Sequence, residues 1–589
     1  MTARGLPLAG VEAPPLLTGG PAPCRAACPV GTDAAAYVAL VAEGRTAEAY
    51  DVARRHNPFA SVCGRVCSAP CERACRRGIV DAPIAIRALK RVVASAHGAE
   101  TVASRWRRVA GTPPPATRAP VCVIGGGPAG LAAAHDLRLA GHAVTVLEAS
   151  HVTGGMLVHG IPAFRLPRDL MGAELDAIAA LGVTVRTGVR VGTDVTLDAL
   201  LADFALVIVA AGCHGGRGLD VPGAGLPGVV RAVDFLRARN AQVTRGDGAV
   251  AADEPVVVVG GGSVAFDAAR SAWRAAGPYD DQTAVDAARS AARGGVTRVT
   301  MVAPERRAAL RVPAEELHEA SVEGVTLRDA HGVVRILGTT HVEGVEIAPV
   351  VSLFDEAGRF APRLDTARTE SIAARTVVLA IGQRAEVPWL HAAGLATTPW
   401  GGVPVHDDGR TTHPRLLVAG DLARGPGDLI DAIASGQRAA ATACRLLGSA
   451  PFAPPPVPTS PPMPRPARFW TGYDAIARAP LPVLPTPVRD AVHEVEGTLA
   501  AGAAAVEGAR CLRCDEQLQF SGVRCIACTL CVDVCPTGAL AFGDAGDALS
   551  FAFDEDRCIR CQLCVHRCPV DALAFATLPT GIRDPESPA

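Results

Sequence analysis

Short runs of consecutive apolar residues recur through the middle of the chain, and each leads into a glycine-rich turn and a helix-like stretch. Residues 121–124 and 256–259 are two such runs. A continuous apolar run bounded by turn residues is typical of a strand that is buried on both faces of a parallel sheet. Because these strands alternate with helical patterns, we predict α/β nucleotide-binding domains from residue 119 to about 447.

The N-terminal part of the chain has a different pattern, with apolar side chains at helical spacing, for example over residues 34–48. A proline-rich break at residues 112–115 closes this part. A second proline-rich stretch, residues 451–487, predicts an extended and mobile linker. The chain is therefore expected to fold as several units joined by proline-rich segments.

Length and composition support this division. At 589 residues the chain is too long for one hydrophobic core, and a hydrophobic content of 49% is ample for several. A net charge of −2 provides no basic field for nucleic acid. No apolar run is long enough to span a membrane, and the N-terminus lacks a secretory signal pattern. Nineteen cysteines without such a signal indicate metal ligation in a reducing compartment, so we expect the cytoplasm.

The first apolar run opens a complete dinucleotide-binding fingerprint. Gly125, Gly127 and Gly130 follow it with the spacing GxGxxG, and a helical pattern and a second strand then lead to Glu148. Such glycines let the backbone approach a pyrophosphate, the helix N-terminus favours its negative charge, and the acid bonds a ribose hydroxyl. Because all the parts occur in order, the motif predicts a dinucleotide site.

A second fingerprint follows the second apolar run and consists of Gly260, Gly262 and Ala265. Arg306 and Arg307 come after its next strand, where an acid would otherwise contact the adenosine ribose. Arginine at that point suits a 2′-phosphate and therefore NADP, whereas the neighbouring Glu305 keeps NAD open. A solvated loop is the alternative interpretation of the two arginines.

Two nucleotide folds in one chain predict one flavin site and one nicotinamide site. The first fold is expected to take the flavin, because a matching segment far downstream ends in Gly420 and Asp421. An Asp at this point is expected to meet the ribityl–pyrophosphate region of the flavin. The apolar run at residues 377–381 is interpreted as the return from the second fold, which places the nicotinamide domain within the flavin domain.

Two cysteine runs near the C-terminus have the spacing CxxCxxCxxxCP. In bacterial two-cluster ferredoxins each run supplies three thiolates to one 4Fe–4S cluster and a fourth to the other. One cluster is therefore expected on Cys525, Cys528, Cys531 and Cys568. The other is expected on Cys558, Cys561, Cys564 and Cys535. Zinc is the weaker alternative, because one zinc ion takes four ligands and these runs supply eight.

Longer motifs resemble the glutamate synthase small subunit and the N-terminal half of dihydropyrimidine dehydrogenase. These motifs are residues 63–67, 154–167, 260–262 with Asp267, 312–314, 380–383 and 419–421. The resemblance covers residues 24 to 447. It implies FAD in the first fold, NADPH in the second and two 4Fe–4S clusters in the N-terminal helical part. It also implies cofactor contacts for Gly155 and Arg165 within the 154–167 motif.

The sequence departs from this family at its N-terminal cysteines. The family opens with a CxxC pair, and no such pair stands ahead of Cys24 here. A pair of the same form, Cys511 and Cys514, lies directly before the ferredoxin runs. We expect this pair to fold back and complete an N-terminal cluster. The alternative is a single N-terminal cluster, with the downstream pair idle or in a separate site.

The family pattern suggests how the N-terminal thiols divide. One cluster would bind Cys28, Cys67, Cys71 and Cys75, and the other would bind Cys24, Cys63, Cys511 and Cys514. Lys90 stands where some relatives have Gln or Glu near a cluster, but a protonated lysine is a poor iron ligand, which favours Cys63 as a ligand. The three remaining cysteines are expected in hydrophobic cores: Cys122, Cys213 and Cys444.

The expected fold is multidomain α/β. It has an α-helical iron–sulfur domain, two Rossmann-like domains with the NAD(P)H domain inserted in the FAD domain, and an α+β ferredoxin-like domain. The expected boundaries are 1–115 for the helical domain, 116–250 and 386–450 for the FAD domain, 251–385 for the NAD(P)H domain, 451–504 for the linker and 505–589 for the ferredoxin-like domain.

The function that we expect is electron transfer between NADPH, FAD and 4Fe–4S clusters, to or from a ferredoxin-type acceptor or a partner catalytic subunit. No catalytic acid or base is predicted, because the protein's part in such transfer is positioning and tuning of potentials. Two alternatives stay open: a true NADPH glutamate synthase small subunit, and a non-catalytic electron-wiring subunit with an inactive NAD(P) site. A hetero- or homo-oligomer is expected, with neither nucleic acid nor a membrane span.

Overall fold

The computed structural model describes residues 21–245, 255–275, 299–455, 476–545 and 548–577. Its N-terminal part is helical and packs round a core that includes Tyr37 and Leu89. The Tyr37 hydroxyl donates to the Ile86 carbonyl oxygen at 2.9 Å and ties two helices together. The helices are Pro23–Ala26, Ala34–Ala42, Thr46–Arg55, Ala60–Val66, Pro70–Arg73, Ile86–His97 and Trp106–Ala110, with a 3₁₀ turn at Arg76–Ile79.

The first α/β domain is built on a five-stranded parallel sheet. In spatial order its strands are Leu416–Val418, Leu206–Val209, Arg118–Ile124, His142–Glu148 and Thr184–Thr187. The edge strand therefore comes from far down the chain, after the whole second α/β domain. Its helices are Pro128–Leu139, Met156–His159, Arg168–Ala179, Leu197–Asp203, Pro388–Ala392, Asp421–Arg424 and Leu429–Leu446.

The second α/β domain has its own five-stranded parallel sheet. In spatial order the strands are Val229–Arg231, Thr376–Leu379, Val256–Val259, Val299–Val302 and Thr326–Arg328. The first of them lies ahead of residue 251, the boundary expected from the glycine motif, because it pairs with the open side of Thr376–Leu379. The helices are Ala232–Arg245, Ser263–Ala275 and Ala314–Val322, with a 3₁₀ turn at Arg307–Ala309.

An antiparallel unit extends the second domain and consists of His331–Leu337, Gly344–Phe354, Phe360–Leu364 and Glu370–Ala373. Where the chain passes between the two α/β domains, the two-residue strands Gly215–Gly216 and Gln383–Arg384 pair antiparallel. The outgoing and returning segments are thus hydrogen-bonded to each other. This pairing fixes the base of the inserted domain.

The segment that was expected to be a mobile linker is packed against other units over residues 476–500. Arg478 pairs with Glu72 of the helical domain at 2.8 Å. Val483 and Glu496 form an antiparallel bridge within the segment. The expectation of mobility is therefore wrong for residues 476–487, because the segment is held by ion pairs that proline content does not reveal. Residues 456–475 of the expected linker lie outside the described residues.

A buried ion cluster fastens this segment to the second α/β domain. Glu323 accepts from Arg270, Arg274 and Arg489, each at 2.8 Å. Burial alone would raise the pKa of Glu323, but hydrogen bonds from Arg270 and Arg274 lower it to about 2. A buried carboxylate is stable only when it is paired in this way. Arg489 thereby joins residues 476–500 to the helix Ser263–Ala275.

The C-terminal module is a small α+β unit that follows the helix Ala501–Ala509. Its strands pair antiparallel as Glu516–Phe520 with Leu573–Thr577 and Leu540–Ala545 with Ala548–Phe553. Two short helices, Leu530–Asp533 and Leu563–Arg567, complete it. The rings of Phe520 and Phe551 stack with centroids 4.0 Å apart in its core.

Within the described part of the chain, every helix falls short of the length or the apolar character that crossing a membrane requires.

The packing of Leu429–Leu446 on Pro128–Leu139 gives a stability prediction. A Cβ at Gly436 would stand 2.0 Å from the Ala129 carbonyl oxygen, so we expect Gly436→Ala to destabilise the domain by about 1–3 kcal/mol. Gly172→Ala is the matched control, because that helical glycine has nothing within 4 Å of its Cβ position. The control should be neutral or more stable by up to ~1 kcal/mol. Thermal unfolding, monitored by circular dichroism, measures the stability of both variants. Equal stability of the two would contradict the packing argument.

Candidate flavin, nicotinamide and iron–sulfur sites

The first glycine loop lies between the strand Arg118–Ile124 and the helix Pro128–Leu139. A Cβ at Gly130 would stand 1.9 Å from the Gly125 carbonyl oxygen, so only glycine allows the strand and the helix to approach so closely. Gly127 is the N-cap of the helix, and its neighbouring backbone amides therefore point into the loop. Such amides, with the positive end of the helix dipole, form a site for a pyrophosphate.

Glu148 ends the second strand of this sheet and faces the same loop. Its carboxylate accepts from the Gly126 amide at 2.8 Å and from the Ser150 amide at 2.7 Å. Two backbone donors fix the side chain in one orientation beside the glycines. This is the position that the fingerprint assigns to an acceptor for a ribose hydroxyl.

Two distant segments close the loop from the other side. Gly155 has φ +54°, and a Cβ there would stand 2.9 Å from the Cα of Gly127. A Cβ at Gly420 would stand 2.9 Å from the Cβ of Ala129, and Asp421 is the residue after Gly420. Burial raises the pKa of Asp421 to about 6, against a hydrogen bond from the Gly427 amide. The structure thus brings the five predicted flavin-site glycines, Glu148 and Asp421 to one edge of the sheet, in a cradle that fits a dinucleotide.

The second glycine loop has the same form but a different acid. Gly260 and Gly262 follow the strand Val256–Val259, and Ala265 is fully buried in the helix behind them. The Glu305 carboxylate points at this loop, 3.0 Å from the Cβ position of Gly261, and its Oε2 has no partner among the described residues.

The two predicted phosphate-binding arginines, Arg306 and Arg307, lie in the exposed turn beside Glu305. The Arg307 amide donates to the Asp329 carboxylate at 2.8 Å, which holds this turn at the edge of the sheet. Sequence analysis identified the turn but not the direction of the Glu305 side chain. The residues present therefore fit an NAD(P) cofactor, because one acid, Glu305, and two bases, Arg306 and Arg307, stand beside the loop where the adenosine ribose would lie.

Arg165 has a different setting from the one expected. The structure pairs its guanidinium with Asp267 at 2.7 Å and with Glu316. Burial raises the pKa of Asp267 to about 6, against the charge of Arg165. Both carboxylates belong to helices of the second α/β domain, so Arg165 joins the two α/β domains. Its cofactor contact stays a prediction.

Eight cysteines of the C-terminal module line two pockets. One pocket is lined by Cys525, Cys528, Cys531 and Cys568. The other is lined by Cys535, Cys558, Cys561 and Cys564. These are the two groups that the spacing predicts, including the exchange of the fourth cysteine between runs. Cluster binding at these cysteines stays a prediction.

Backbone amides already point at these sulfurs. The amides of Ala527, Ala539 and Ala572 donate to the Sγ atoms of Cys525, Cys535 and Cys568 at 3.4, 3.1 and 3.2 Å. Amide donors of this kind stabilise thiolate charge and help to set the potential of a cluster. Among the described residues, no three His, Cys, Asp or Glu side chains are arranged round a single metal ion. The thiols face pockets instead, as the bulk of a multi-iron cluster requires.

The N-terminal thiols form two groups with the downstream pair. Burial raises the pKa of the Cys24 thiol, and the nearby Cys511, Cys514 and Cys75 thiols raise it further, with a smaller effect from Cys71. Cys24, Cys75 and Cys511 also pack against one apolar core, so the fold-back expected for the downstream pair is present in the structure. This first group is Cys24, Cys75, Cys511 and Cys514.

The second group surrounds the buried Lys90. Burial would lower the pKa of Lys90, but the charges of four thiols raise it: Cys63, Cys28, Cys67 and Cys71. The structure thus differs from the expected division, because Cys63 lies with the Lys90 group and Cys75 with the downstream pair. Which thiols share a cluster stays a prediction. Cys63 lies one helical turn before Cys67 and shares its face, whereas Cys75 follows the next helix and turns toward the downstream pair.

The three remaining cysteines, Cys122, Cys213 and Cys444, are buried in the cores of the first α/β domain, as expected. All 19 cysteines of the chain are free thiols in this structure.

Comparison with known proteins identifies three segments. Residues 119–436 match the family described as pyridine nucleotide-disulphide oxidoreductase, which is more than half of the chain. The chain belongs to this family. Residues 9–102 match dihydropyrimidine dehydrogenase domain II, 4Fe-4S cluster, and residues 524–572 match the 4Fe-4S dicluster domain. The chain therefore combines a domain of the FAD- and NAD(P)-dependent oxidoreductase type with two segments of 4Fe–4S cluster families.

The relatives are subunits of larger enzymes. The chain is 34% identical to the NADP(+)-dependent formate dehydrogenase subunit beta of Moorella thermoacetica, over 74% of this chain and 61% of that protein. It is 33% identical to the glutamate synthase [NADPH] small chain of Mycobacterium tuberculosis, over 75% of this chain and 89% of that protein. It is also 33% identical to the NADPH-Fe(3+) oxidoreductase subunit beta of Geobacter sulfurreducens, over 64% and 53%.

The chain thus spans less than two thirds of the first and third of these relatives. Among solved structures, FprA of Mycobacterium tuberculosis in complex with NADPH is similar at 22% identity and a TM-score of 0.47, over 56% of this chain and 85% of that one.

The hydrogen bonds of Glu148 give a prediction for the flavin site. Glu148→Gln keeps one acceptor oxygen but replaces the other by a donor facing the Gly126 or Ser150 amide. We expect FAD affinity to fall by about tenfold, since a lost charge-assisted hydrogen bond is worth roughly 1.5 kcal/mol. Flavin content after gel filtration and a fluorescence titration of the apoprotein measure this. The exposed Glu343→Gln is the control, and an unchanged FAD affinity of the Glu148 variant would contradict the assignment.

Proposed function

We propose that this protein is an NADPH-dependent oxidoreductase that moves electrons between NADPH, FAD and 4Fe–4S clusters, to or from a ferredoxin-type carrier or a partner catalytic subunit. Bound FAD exchanges electron pairs with the nicotinamide and single electrons with the clusters. The observation that carries the proposal is the continuous packing of the flavin fold, the helical domain and the C-terminal module, with four groups of four thiols along it.

The contact between the helical domain and the flavin fold supports the first step. The Ser61 and Val62 amides donate to the Glu174 carboxylate at 2.8 and 3.1 Å. Glu174 lies in the helix Arg168–Ala179 of the flavin domain and is fully buried. Cys63 follows these two amides directly, so the Lys90 group of thiols is held against the flavin fold by a carboxylate at a helix N-terminus.

A second contact supports the same arrangement. The Ser68 hydroxyl, next to Cys67, donates to the Asp428 carboxylate at 2.6 Å. Asp428 precedes the helix Leu429–Leu446, which follows the predicted flavin residue Asp421. The thiols of this group and the flavin cradle are thus joined by two short polar links.

The far end of the chain supports an outlet to another protein. Cys528 is exposed, whereas every other cysteine is at least partly buried. The apolar side chains of Val523, Ile526 and Leu530 beside it are 71%, 61% and 42% exposed. Apolar surface at this level commonly marks a protein interface. We assign this face to a protein that accepts or donates single electrons.

A second candidate function is a glutamate synthase small subunit. The coverage of 89% of the small chain from Mycobacterium tuberculosis favours it. The C-terminal module argues for the first candidate, because an exposed cluster site is suited to a separate carrier. Formation of glutamate with a glutamate synthase large subunit would decide for the second. We place the protein in the reducing cytoplasm, and the 19 free thiols support this.

The main prediction is a reduction experiment without air. NADPH should bleach the flavin absorbance, and benzyl viologen or ferredoxin should then be reduced in a catalytic cycle. The proposal fails if neither NADPH nor NADH bleaches the flavin of iron-loaded protein. Bleaching without reduction of any one-electron acceptor would limit the function to the nicotinamide and flavin steps.

The exposed turn gives a prediction for cofactor choice. Removing Arg306 and Arg307 together by substitution with Ala should raise the KM for NADPH by about tenfold or more and leave the KM for NADH nearly unchanged, because the arginines would meet only the 2′-phosphate. Arg363→Ala, at an exposed site on the strand Phe360–Leu364, is the control for the loss of an exposed arginine elsewhere on the domain. Equal effects on both cofactors would show that the turn does not recognise the phosphate.

A further inference from the structure

We propose that Cys511 and Cys514, with Cys24 and Cys75, hold a 4Fe–4S cluster that passes electrons between the helical domain and the C-terminal module. The ligands come from both ends of the chain. Cys511 and Cys514 lie outside the two segments that match iron–sulfur families, residues 9–102 and 524–572. The role of this site in electron transfer rests on the proposed function, whereas the site itself is inferred from local geometry.

The loop between Cys511 and Cys514 has the conformation of a cluster-binding loop. Arg513 has φ +55°, and its amide donates to the Cys511 Sγ at 3.4 Å. Ala527, at the same place between Cys525 and Cys528, also has φ +55° and donates to the first sulfur at 3.4 Å. This φ is strained for a non-glycine residue, and strained backbone of this kind is common at functional sites. The agreement of the two loops indicates the same ligand.

A buried ion network fixes the position of this loop. Arg510 is fully buried and donates to Glu507 at 2.7 Å and to Asp81 at 2.9 Å. Arg77 pairs with the same Asp81 at 2.5 Å. Arg510 and Glu507 are both fully buried, so loss of either one would leave an unpaired buried charge, which is strongly destabilising. The downstream pair is therefore held next to Cys75, only two residues from Arg77.

The helix that precedes the loop is fitted to the helical domain as well. A Cβ at Gly508 would stand 2.8 Å from the Val38 carbonyl oxygen, so the helix Ala501–Ala509 lies directly against Ala34–Ala42. Glu507 accepts from the Ala85 amide at 2.8 Å. The segment thus completes the helical domain as one of its own helices would.

The other side of the site faces the C-terminal module. Arg76, next to Cys75, pairs with Glu555 at 3.2 Å and with Asp556 at 2.9 Å. Arg560 pairs with the same Glu555 at 2.7 Å. Glu555 therefore joins the residue beside Cys75 to the residue between Cys558 and Cys561, and this ties the site to the C-terminal module.

The order of the four sites follows from these contacts. Cys28, Cys63 and Cys67 pack against a core that they share with the flavin fold. Cys71, four residues after Cys67, packs against the same core as Cys24, Cys75 and Cys511 and so links the two N-terminal groups. The site of Cys511 and Cys514 comes next, then the pocket of Cys558, and last the pocket of the exposed Cys528. Each transfer between sites moves one electron, so the donor site is oxidised and the acceptor site is reduced. NADPH, the reductant, would supply two electrons as a hydride to the flavin, so each NADPH oxidised would support two such transfers and release one proton.

The test is substitution of both downstream cysteines by Ser in the full chain, purified without air. Four clusters require about sixteen iron atoms per chain, and the variant should retain about twelve. Its flavin should bleach with NADPH as before, but the C-terminal clusters should no longer give their electron paramagnetic resonance signals with NADPH. Dithionite should still reduce them. Cys444→Ala, in the flavin-domain core, is the control and should keep about sixteen.

Unchanged iron content in the double variant would overturn the inference, and so would reduction of the C-terminal clusters by NADPH at the parent rate. Cys24→Ser removes the same cluster from the other end of the chain and should lose the same signals. It decides the question if the double variant loses its flavin through misfolding. The proposed function fails separately, by absence of flavin bleaching in the parent protein.

Discussion

Thiols that are buried together repel one another once they ionise, and this constraint governs the structure. Each sulfur raises the pKa of its neighbours, as burial does, so four ionised thiolates stay together only if a cation or metal shares the space. Lys90 stands among one group, and Arg76 and Arg560 stand beside another. The rest of the fold holds the groups in place: helices present the cysteines, amides point at the sulfurs, and salt bridges fix one unit against the next.

Ion clusters fix several of the joints between units, in addition to the apolar core that the helical and flavin domains share. Arg165 lies between the two α/β domains, and Glu323 holds residues 476–500 to the second. Arg510 holds the downstream cysteine pair to the helical domain. Paired charges of this type have demanding geometry, so each joint allows one arrangement and rejects others. A chain that must keep redox centres at fixed separations benefits from joints with a single arrangement.

Local chemistry made the glycine loops and the C-terminal cysteine groups predictable. A GxGxxG loop or a CxxCxxCxxxC run carries its requirement within a few residues, so Gly130 and Cys568 could be assigned from spacing alone. The exchange of Cys63 and Cys75 could not, because it depends on which helix face turns toward the downstream pair. The pairing of Arg165 with Asp267, 102 residues away, is a contact of the same kind. Proline content predicts a mobile segment at residues 476–487, but contacts with other units, such as the Arg478–Glu72 ion pair, hold the segment in place.

The exposure of Cys528 has a consequence beyond the docking of a carrier. Oxidation of a thiolate follows its accessibility, and dioxygen is far smaller than any protein. The face that we assign to an electron-transfer partner is therefore also open to dioxygen. Damage would begin at this outermost site and move inward, while the sulfurs between the helical domain and the module stay shielded. The thiols between the helical domain and the C-terminal module are therefore the best protected from oxygen, and Cys528 is the least protected.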